Sequence, residues 1–401
     1  MEYSTSQERQ ENGKRGVKSE QGSLYDRFHE ISDPRKAKGK VYSLVTLLGV
    51  IFLGKLCGKD KPGEIADWAQ NHAEELEEVL GLESRRMPSH STIRRVFQSI
   101  VDENELSQMA QEYSQQQYRG EGEVLAIDGK TLRGTRVAGQ EAGDHVLSVY
   151  DVTQHQVIAQ MPVDAKENES VAASQILEMV SVTGKVVTGD AMHTQRALSA
   201  QIVAQGGHYL WPVKDNQPQL YQAIECLFTP QEPKPGFGKI PDDFLTASTV
   251  NLGHGRIEKR TIQTSSMLND YLDWPALGQV YRLERQFNWI RRGEIYKTST
   301  EVELGITSLP RSQASPAQVL HTRRSHWRIE TSLHYSRDVT FHEDATRMTI
   351  GSAGRILATI HNLVIALIRR VGYNNAAQAR RYFEGHLNDA FNLLITANGL
   401  S

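Results

Sequence analysis

The spacing of apolar positions divides most of the chain into four successive regions. Over residues 23–118, apolar residues recur every three or four positions, which is the spacing of amphipathic helices. Residues 119–229 instead alternate short apolar runs of the β type with helical stretches. Residues 230–314 open with prolines and continue with alternating apolar and polar positions, and residues 315–371 return to helical spacing. The pattern predicts helices, an α/β unit, a β-rich insertion and helices again.

The two ends of the chain and one long apolar run complete this division. Residues 1–22 are rich in Ser, Gln, Glu and Lys, which predicts a flexible tail, and residues 372–401 carry two short helical patterns. The apolar run from 41 to 54 is shorter than the ~20 residues that a membrane span requires. It is therefore interpreted as a buried helix, and no membrane partner is expected.

The α/β unit contains the elements of one mixed sheet. Strands are predicted at 123–128, 145–151, 156–163, 185–190 and 208–213. Helices are predicted at 170–179, 194–205 and 218–228. The first three strands follow one another directly, as in an antiparallel meander, whereas the later strands alternate with helices and so require parallel neighbours. This order is that of an RNase H-like fold, so the expected class is α/β: an RNase H-like mixed sheet core with a β-rich insertion, preceded by an all-helical N-terminal domain and followed by a helical C-terminus.

Two of the predicted strands end on an aspartate that has a glycine beside it. Asp128 follows the apolar run 124–127 and precedes Gly129, and Asp190 follows Gly189 at the end of a second run. If the two strands are neighbours, the carboxylates lie side by side and repel each other unless a cation lies between them. Mg²⁺ and Mn²⁺ are hard ions that prefer such oxygen ligands. The alternative interpretation is that each aspartate only opens a turn.

A third acid lies on the first helix after the insertion. One face of that helix displays cations and histidines around a single carboxylate, namely Arg323, His326, Glu330, His334 and Arg337. Such a face suits a phosphate-binding site with a metal ligand at its centre. Asp128, Asp190 and Glu330 are therefore predicted as catalytic residues and as ligands of two Mg²⁺ or Mn²⁺ ions. The alternatives are a solvated salt-bridged face, and Glu343 or Asp344 as the third acid.

Composition allows DNA binding only through local patches. The chain has 45 Lys and Arg against 48 Asp and Glu, so its formal net charge is −3. Arg94 and Arg95 lie on the outer face of a predicted helix, which is either the reading helix of a helix-turn-helix or a solvated amphipathic helix. His254 and Arg256 lie in a predicted tight loop, which is either a polar turn or a phosphate contact. The two distant cysteines exclude a disulfide scaffold and are typical of a reducing cytoplasm.

Five short motifs resemble, in the same order, those of the H-repeat-associated transposases of bacterial insertion sequences of the As type. They are Ala-Ile-Asp-Gly-Lys-Thr-Leu-Arg-Gly at 126–134, Thr-Gly-Asp-Ala-Met at 188–192, Val-Lys-Asp-Asn-Gln-Pro at 213–218, Gly-His-Gly-Arg-Ile-Glu at 253–258 and His-Trp-Arg-Ile-Glu at 326–330. The N-terminal part also resembles that family's associated domain, through Ile-Ala-Asp-Trp at 65–68 and Pro-Ser-His-Ser-Thr at 88–92. The likeness extends over residues 24–371.

The resemblance implies a DDE transposase, which cleaves DNA strands and transfers them at transposon ends with a divalent metal. Its triad would be Asp128, Asp190 and Glu330. The expected partners are double-stranded DNA, at the transposon ends and in the target, and a second copy of the chain as a homodimer on the DNA ends. The expected location is the bacterial cytoplasm, at the nucleoid when the enzyme acts. Relatives carry Tyr, Arg and Lys where this chain has Arg323, His326 and Arg337.

The predicted DNA contacts combine these motifs with the basic patches. They are Lys130, Arg133, Lys214, His254, Arg256, Arg323, His326, Arg337, Arg94 and Arg95. Two other functions remain open: an RNase H-like nuclease without strand transfer, and a DNA-binding protein without catalysis. The insertion and the N-terminal domain favour the transposase, because a nuclease needs neither. The complete set of three acids argues against the inactive protein.

Overall fold

The N-terminal part of the chain is helical, as its apolar spacing predicts. The structure is a computed structural model that describes residues 17–38, 40–117, 123–139, 142–163, 169–229, 243–253 and 255–397. Six helices precede the sheet: α1 (Leu24–Arg27), α2 (Leu44–Leu56), α3 (Pro62–Asn71), α4 (Ala73–Val79), α5 (His90–Arg95) and α6 (Glu103–Gln117). Serines begin three of them, because the Ser23, Ser43 and Ser89 hydroxyls accept the backbone N–H groups of Asp26, Thr46 and Thr92.

Helix α2 is the apolar run that the sequence analysis interpreted as a buried helix. Every side chain from Leu47 to Leu56 is buried, which confirms that interpretation. The buried set includes Lys55, whose ammonium donates a hydrogen bond to the Asp60 carbonyl. Among the described residues, none of the helices has the length and the apolar character that crossing a membrane requires.

In the part of the chain that the structure describes, nine strands form one mixed sheet. They are β1 (Val124–Thr131), β2 (His145–Asp151), β3 (Gln156–Val163), β4 (Val186–Thr188), β5 (His208–Val213), β6 (Leu245–Gly253), β7 (Arg256–Ser265), β8 (Gln279–Arg291) and β9 (Glu294–Thr307). Helices α7 (Glu169–Glu178), α8 (Arg196–Ala204) and α9 (Pro218–Phe228) follow β3, β4 and β5. The strand order is β3-β2-β1-β4-β5-β9-β8-β7-β6. The first three strands are antiparallel and β1, β4 and β5 are parallel, which confirms the predicted mixed core.

Two strand ends differ from their predicted positions. Strand β1 was expected to stop at Asp128, but it continues to Thr131 because β2 pairs with it as far as His145. Strand β4 already ends at Thr188, so Asp190 lies beyond the strand. There Asp190 caps a short 3₁₀ turn at Ala191–His193.

The β-rich insertion lengthens the core sheet and does not form a separate layer. Strand β9 pairs with β5 in antiparallel fashion, and β8, β7 and β6 follow outward. The last four residues of β9, from Leu304 to Thr307, are buried, whereas most of its first half is exposed. The sequence analysis anticipated the strands but not this continuity. Pairing between strands that are far apart along the chain leaves no local pattern.

The C-terminal region is helical and completes the core of the N-terminal helices. It contains α10 (Pro316–Arg328), α11 (Ala353–Arg370), α12 (Ala376–Gly385) and α13 (Leu387–Ile395). Between α10 and α11 the chain continues in π-helical turns at Ile329–His334 and Ser336–Thr340. Side chains of α1–α6 and α11–α13 share one apolar core, while the sheet and α7–α9 enclose a second one.

The start of the described chain is attached to its end. The backbone N–H of Glu20 donates to the Ile395 carbonyl at 2.8 Å, and the Glu20 carboxylate accepts the Ala397 N–H at 2.7 Å. The prediction of a flexible tail is therefore wrong for residues 17–22. The rest of that predicted tail, residues 1–16, lies outside the described residues.

A buried ion pair joins the π-helical segment to α11. Arg337 is fully buried and lies 2.8 Å from the carboxylate of Glu343, which is also 2.8 Å from the imidazole of His361 on α11. Burial raises the pKa of Glu343, but Arg337 and His361 outweigh it and hold that pKa well below its usual range. Glu343 is thus a structural anion and not the third acid. Asp344 accepts the backbone N–H of Arg133 at 3.1 Å.

Removing this anion should weaken the fold. Glu343→Ala is expected to lower the free energy of unfolding by ~3–5 kcal/mol, because it leaves the Arg337 guanidinium buried without its counter-charge. Urea denaturation measures the change. Arg133→Ala removes a side chain that is 81% exposed and serves as the control. The control should shift the unfolding free energy by no more than ~0.5 kcal/mol. A Glu343→Ala protein as stable as wild type would contradict the role given to the pair.

Candidate active site

Asp128 and Asp190 reach the same edge of the sheet because β1 and β4 are parallel neighbours. The register pairs Ala126 with Thr188. Each aspartate therefore lies two residues beyond a paired position, at the same advance along its own chain. Parallel strands that advance equally present their ends together. The sequence interpretation of two neighbouring strand-edge acids is consistent with this register.

Asp128 occupies the most buried position of the three acids. Its side chain is 18% exposed, and its Oδ1 accepts the backbone N–H of Gly129 at 3.0 Å. The imidazole Nδ1 of His334 lies 3.4 Å from Oδ2. Burial, followed by the negative charges of Glu330 and Asp190, raises the pKa of Asp128 to about 7. The three predicted acids therefore act on one another electrostatically.

Asp190 is held differently. Its side chain is half exposed, and its Oδ1 accepts two hydrogen bonds: one from the Met192 backbone N–H at 3.0 Å and one from the His193 imidazole at 2.8 Å. Burial raises the pKa of Asp190, but these hydrogen bonds and the His193 charge outweigh it and lower that pKa below its usual value. The two aspartates thus differ in their preference for the ionised form, although they lie at one edge.

Glu330 is exposed at the start of the first π-helical turn, where its carbonyl accepts the N–H of Tyr335 five residues later. His334 lies beside Asp128, but Glu330 is exposed and Arg337 is fully buried, so the predicted common face of residues 323 to 337 does not include both. A π-helix takes more residues per turn than an α-helix, so Glu330 and Arg337 no longer share a side. Within the described ranges, no group of three His, Cys, Asp or Glu side chains is close enough to hold a metal ion. The carboxylates interact through space without forming a closed ligand set.

The three residues that replace the relatives' Tyr, Arg and Lys are buried. Arg323 makes a two-point ion pair with Glu303 at 2.6 and 2.9 Å, and Arg337 is paired as described above. His326 is 7% exposed, and burial together with Arg323 lowers its pKa to about 3, so its imidazole is neutral near pH 7. The predicted phosphate contacts of Arg323, His326 and Arg337 stay predictions, which would require these side chains to become exposed. Their charges are either used internally or absent.

The other predicted DNA contacts differ in exposure. Lys130 is buried and its ammonium lies 2.6 Å from Asp338, so its predicted DNA contact would compete with this ion pair and stays a prediction. Arg133 and Lys214 are exposed, and their roles stay predictions. The same holds for three cations further away. Arg94 and Arg95 are exposed on α5, and Arg256 lies over the Phe287 ring at 5.1 Å. His254 lies outside the described residues.

Several residues that shape the site were missed by sequence reasoning. His193 is fully buried beneath Asp190. The amide side chains of Asn216 and Gln217 donate to the carbonyls of Ala191 and Thr194 at 2.7 and 2.9 Å, and so brace the turn that presents Asp190. An Asp-x-x-His spacing was the available local signal for His193. Asn216 and Gln217 lie on another loop, so no local pattern indicates their contact.

The strand order and the acids at its edge define an RNase H-like fold with a carboxylate-lined site. Comparison with known proteins is consistent with this class. Residues 119–367 match the family model described as Transposase DDE domain, and residues 25–114 match the one described as DDE_Tnp_1-associated.

Relatives with transposase names match most of the chain. YncI of Escherichia coli O157:H7 is 30% identical over 356 residues, which cover 86% of this chain and 87% of that protein. The H repeat-associated protein YhhI of Escherichia coli K12 is 28% identical over 86% of this chain and 90% of its own. A cryo-EM structure of the piggyBac transposase synaptic complex with hairpin DNA aligns with a TM-score of 0.41 and 12% identity, over 92% of this chain and 77% of that one.

The chain belongs to the family of DDE transposases of bacterial insertion sequences, which confirms the resemblance drawn from its motifs. Membership makes it an enzyme that acts on DNA and implies the use of a divalent metal ion.

The burial of the Asp128 carboxylate, together with the repulsion from Glu330 and Asp190, should be measurable as lost stability. In metal-free protein at pH 8, Asp128→Asn is expected to raise the free energy of unfolding by as much as ~4 kcal/mol, the equivalent of a carboxyl pKa raised from 3.8 to about 7. Urea denaturation measures the difference, and excess Mn²⁺ should narrow it by relieving the repulsion. Asp215→Asn, in an exposed loop, is the control that should change little. Metal-free Asp128→Asn that is less stable than wild type would refute the electrostatic account.

Proposed function

We propose that Asp128, Asp190 and Glu330 together bind two Mg²⁺ or Mn²⁺ ions for the cleavage and transfer of DNA strands. The observation that carries the proposal is the effect of Glu330 and Asp190 on the pKa of Asp128. A carboxylate whose pKa is raised by neighbouring acids is stabilised in its ionised form by a divalent cation. The sheet edge and the helix after the insertion supply these acids from distant parts of the chain.

The donor set fits a hard divalent ion in its chemistry. All three side chains offer carboxylate oxygens, which Mg²⁺ and Mn²⁺ prefer. Without a cation, like charges favour separation. Glu330 is the acid that can move towards a bound cation, because it is exposed on a π-helical turn. Asp128 is fixed within the sheet, and Asp190 is fixed by its two hydrogen bonds.

The residues of the chain have distinct tasks in this chemistry. Bound ions would activate water or a 3′-hydroxyl and stabilise the leaving oxygen in an in-line attack on a phosphodiester. Asp128 and Asp190 hold their oxygens at the sheet edge, and Glu330 approaches from the helical side. One such site can first cut a strand and then join its end to a target. This accounts for both steps of transposition.

A basic surface beside Glu330 is suited to the DNA backbone. Arg324 and Arg328 are exposed on α10. Burial lowers the pKa of Arg260 on β7, and the charges of Arg324 and Arg285 lower it further, whereas Glu258 raises it. These three arginines therefore lie near one another. The guanidinium of Arg285 lies over the Trp327 ring at 5.5 Å. We assign this α10–insertion surface to phosphate contacts, with Arg133, Lys214, Arg94, Arg95 and Arg256 as further contacts, and expect two protomers to hold the two transposon ends.

The triad is tested by separating binding from catalysis. Glu330→Gln keeps size but removes the charge of a metal ligand, so cleavage and joining should fall by at least ~10²-fold while DNA binding persists. Asp190→Asn should act alike, and the double variant should lose little more, because the acids act as one unit. Cleavage with Mn²⁺ and fluorescence anisotropy are measured on DNA that carries the element's ends.

Glu178→Gln, an exposed glutamate on α7, is the control for this test and should leave cleavage unchanged. Wild-type protein that binds the ends and never cuts them would favour a DNA-binding role without catalysis. Cleavage without joining would favour a nuclease. Undiminished cleavage by Glu330→Gln would remove Glu330 from the triad.

The DNA surface is tested by the salt dependence of binding. Arg324→Ala should reduce the slope of log affinity against log salt by ~1, because one phosphate contact is lost. Its buried neighbour Arg323 is paired with Glu303 and is the matched control. Arg323→Ala should lower stability but leave the slope of the folded protein unchanged. The opposite outcome for the two arginines would show that the buried pair opens to bind DNA.

A further inference from the structure

A line of polar side chains runs from Asp190 back into the protein. The His193 imidazole, which is fully buried, donates from Nδ1 to Asp190. Its other nitrogen, Nε2, lies 3.6 Å from Oε1 of Glu169, the first residue of α7. The second oxygen of Glu169 lies 3.3 Å from Nε2 of His145 on β2, and Nδ1 of His145 lies 3.0 Å from the Thr131 hydroxyl. The line thus connects Asp190 to α7 and to the β1–β2 pair.

The glycines beside both aspartates make room for this cluster. A Cβ at Gly129 would lie 2.5 Å from Nε2 of His145 and 2.6 Å from Oε1 of Glu169. A Cβ at Gly189 would lie 3.1 Å from Nδ1 of His193. Neither glycine has a positive φ, so their conformation alone does not explain them. The two Asp-Gly or Gly-Asp steps therefore leave space for the side chains that lie behind the carboxylates.

One atom of the cluster points to a further role. Nε2 of His193 is buried and has no hydrogen-bond partner within the described part of the chain. A buried polar nitrogen without a partner is unfavourable by roughly 1–3 kcal/mol. The arrangement of His193 is therefore not explained by stability alone. The Glu169 carboxylate, only 14% exposed, is the acceptor that a small movement of the Asp190 turn would bring into range.

The hydrogen bonds also select one oxygen of Asp190. Both donors, from Met192 and from His193, contact Oδ1. Oδ2 accepts neither of these two hydrogen bonds, and the side chain is half exposed. A carboxylate fixed through one oxygen presents the other in a defined direction. Side chains that hold a metal ligand in this way commonly change metal affinity by 10–100-fold when they are removed.

We propose that His193 and Glu169 are positioning residues of the transposase site, which hold Asp190 through Oδ1 so that Oδ2 is directed to a divalent metal ion. The inference rests on the proposed function of Asp190 as a metal ligand. Glu169 acts through His193 and not by touching the ion. The cluster accounts for three features together: the buried imidazole, the acid at the start of α7, and the glycine beside each aspartate.

The test is Mn²⁺ binding to the full-length protein without DNA. Binding is measured from the decrease in the electron paramagnetic resonance signal of free Mn²⁺. His193→Ala and Glu169→Ala should weaken Mn²⁺ binding by ~10–100-fold. His193→Gln keeps an amide N–H that can donate to Oδ1 and should restore most of the affinity. Glu178→Ala removes an exposed glutamate from the other end of α7 and is the matched control, with wild-type affinity expected.

A second readout separates positioning from general destabilisation. Cleavage by His193→Ala should require a higher Mn²⁺ concentration yet approach the wild-type maximum at saturation, which a loss of folded protein would not produce. If His193→Ala does not fold, Glu169→Ala carries the test, because its side chain is at the edge of the cluster. Variants that unfold more easily but bind Mn²⁺ like wild type would overturn the inference.

Asp190→Asn distinguishes this inference from the proposed function. If Asp190→Asn loses Mn²⁺ binding while His193→Ala and Glu169→Ala keep it, only the positioning role fails. If wild type and Asp190→Asn bind Mn²⁺ equally, the metal-ligand role of Asp190 fails and the positioning role fails with it.

Discussion

The parallel pairing of β1 with β4 is the constraint on which the rest of the site depends. It brings two carboxylates to one edge, and the resulting repulsion contributes to the raised pKa of Asp128. Burial of apolar strand residues such as Ile127 and Val187 offsets that repulsion. The hydrogen bonds at Asp190 favour its ionised form. Titratable neighbours whose pKa values are moved in opposite directions are typical of catalytic sites.

The cations of this region fall into two groups: buried arginines that are paired with carboxylates inside the protein, and exposed arginines. Arg323 and Arg337 are buried against Glu303 and Glu343, where they fix the helix that carries the third acid. A buried guanidinium is no longer available to a phosphate, because breaking its ion pair would leave a carboxylate uncompensated. Arg324 is exposed, so a contact with phosphate would not require a buried ion pair to break. DNA contact is therefore expected from residues that add little to folding.

The sequence predicted the fold more closely than the site. Helical and alternating apolar spacings located the core strands within a few residues and identified α2 as buried, because burial imposes a local period. The merging of the insertion into the sheet depends on β9 meeting β5, which is a long-range pairing. The same limit applies to charge. The sequence shows a cation at position 323 but does not show whether its side chain faces solvent or Glu303. The folded structure places it against Glu303.

The helical segment after the insertion explains why Glu330 is exposed although its neighbours Arg323, His326 and Arg337 are buried. In a regular α-helix, residues 330 and 337 would share a side, and Glu330 would then be buried with Arg337. The π-helical hydrogen bond from Tyr335 to Glu330 widens the turn and rotates Glu330 away from that side. Single π-helical turns within helices occur frequently at functional sites. The distortion lets one short segment anchor itself through Arg337 and still leave the Glu330 side chain exposed, close enough to raise the pKa of Asp128.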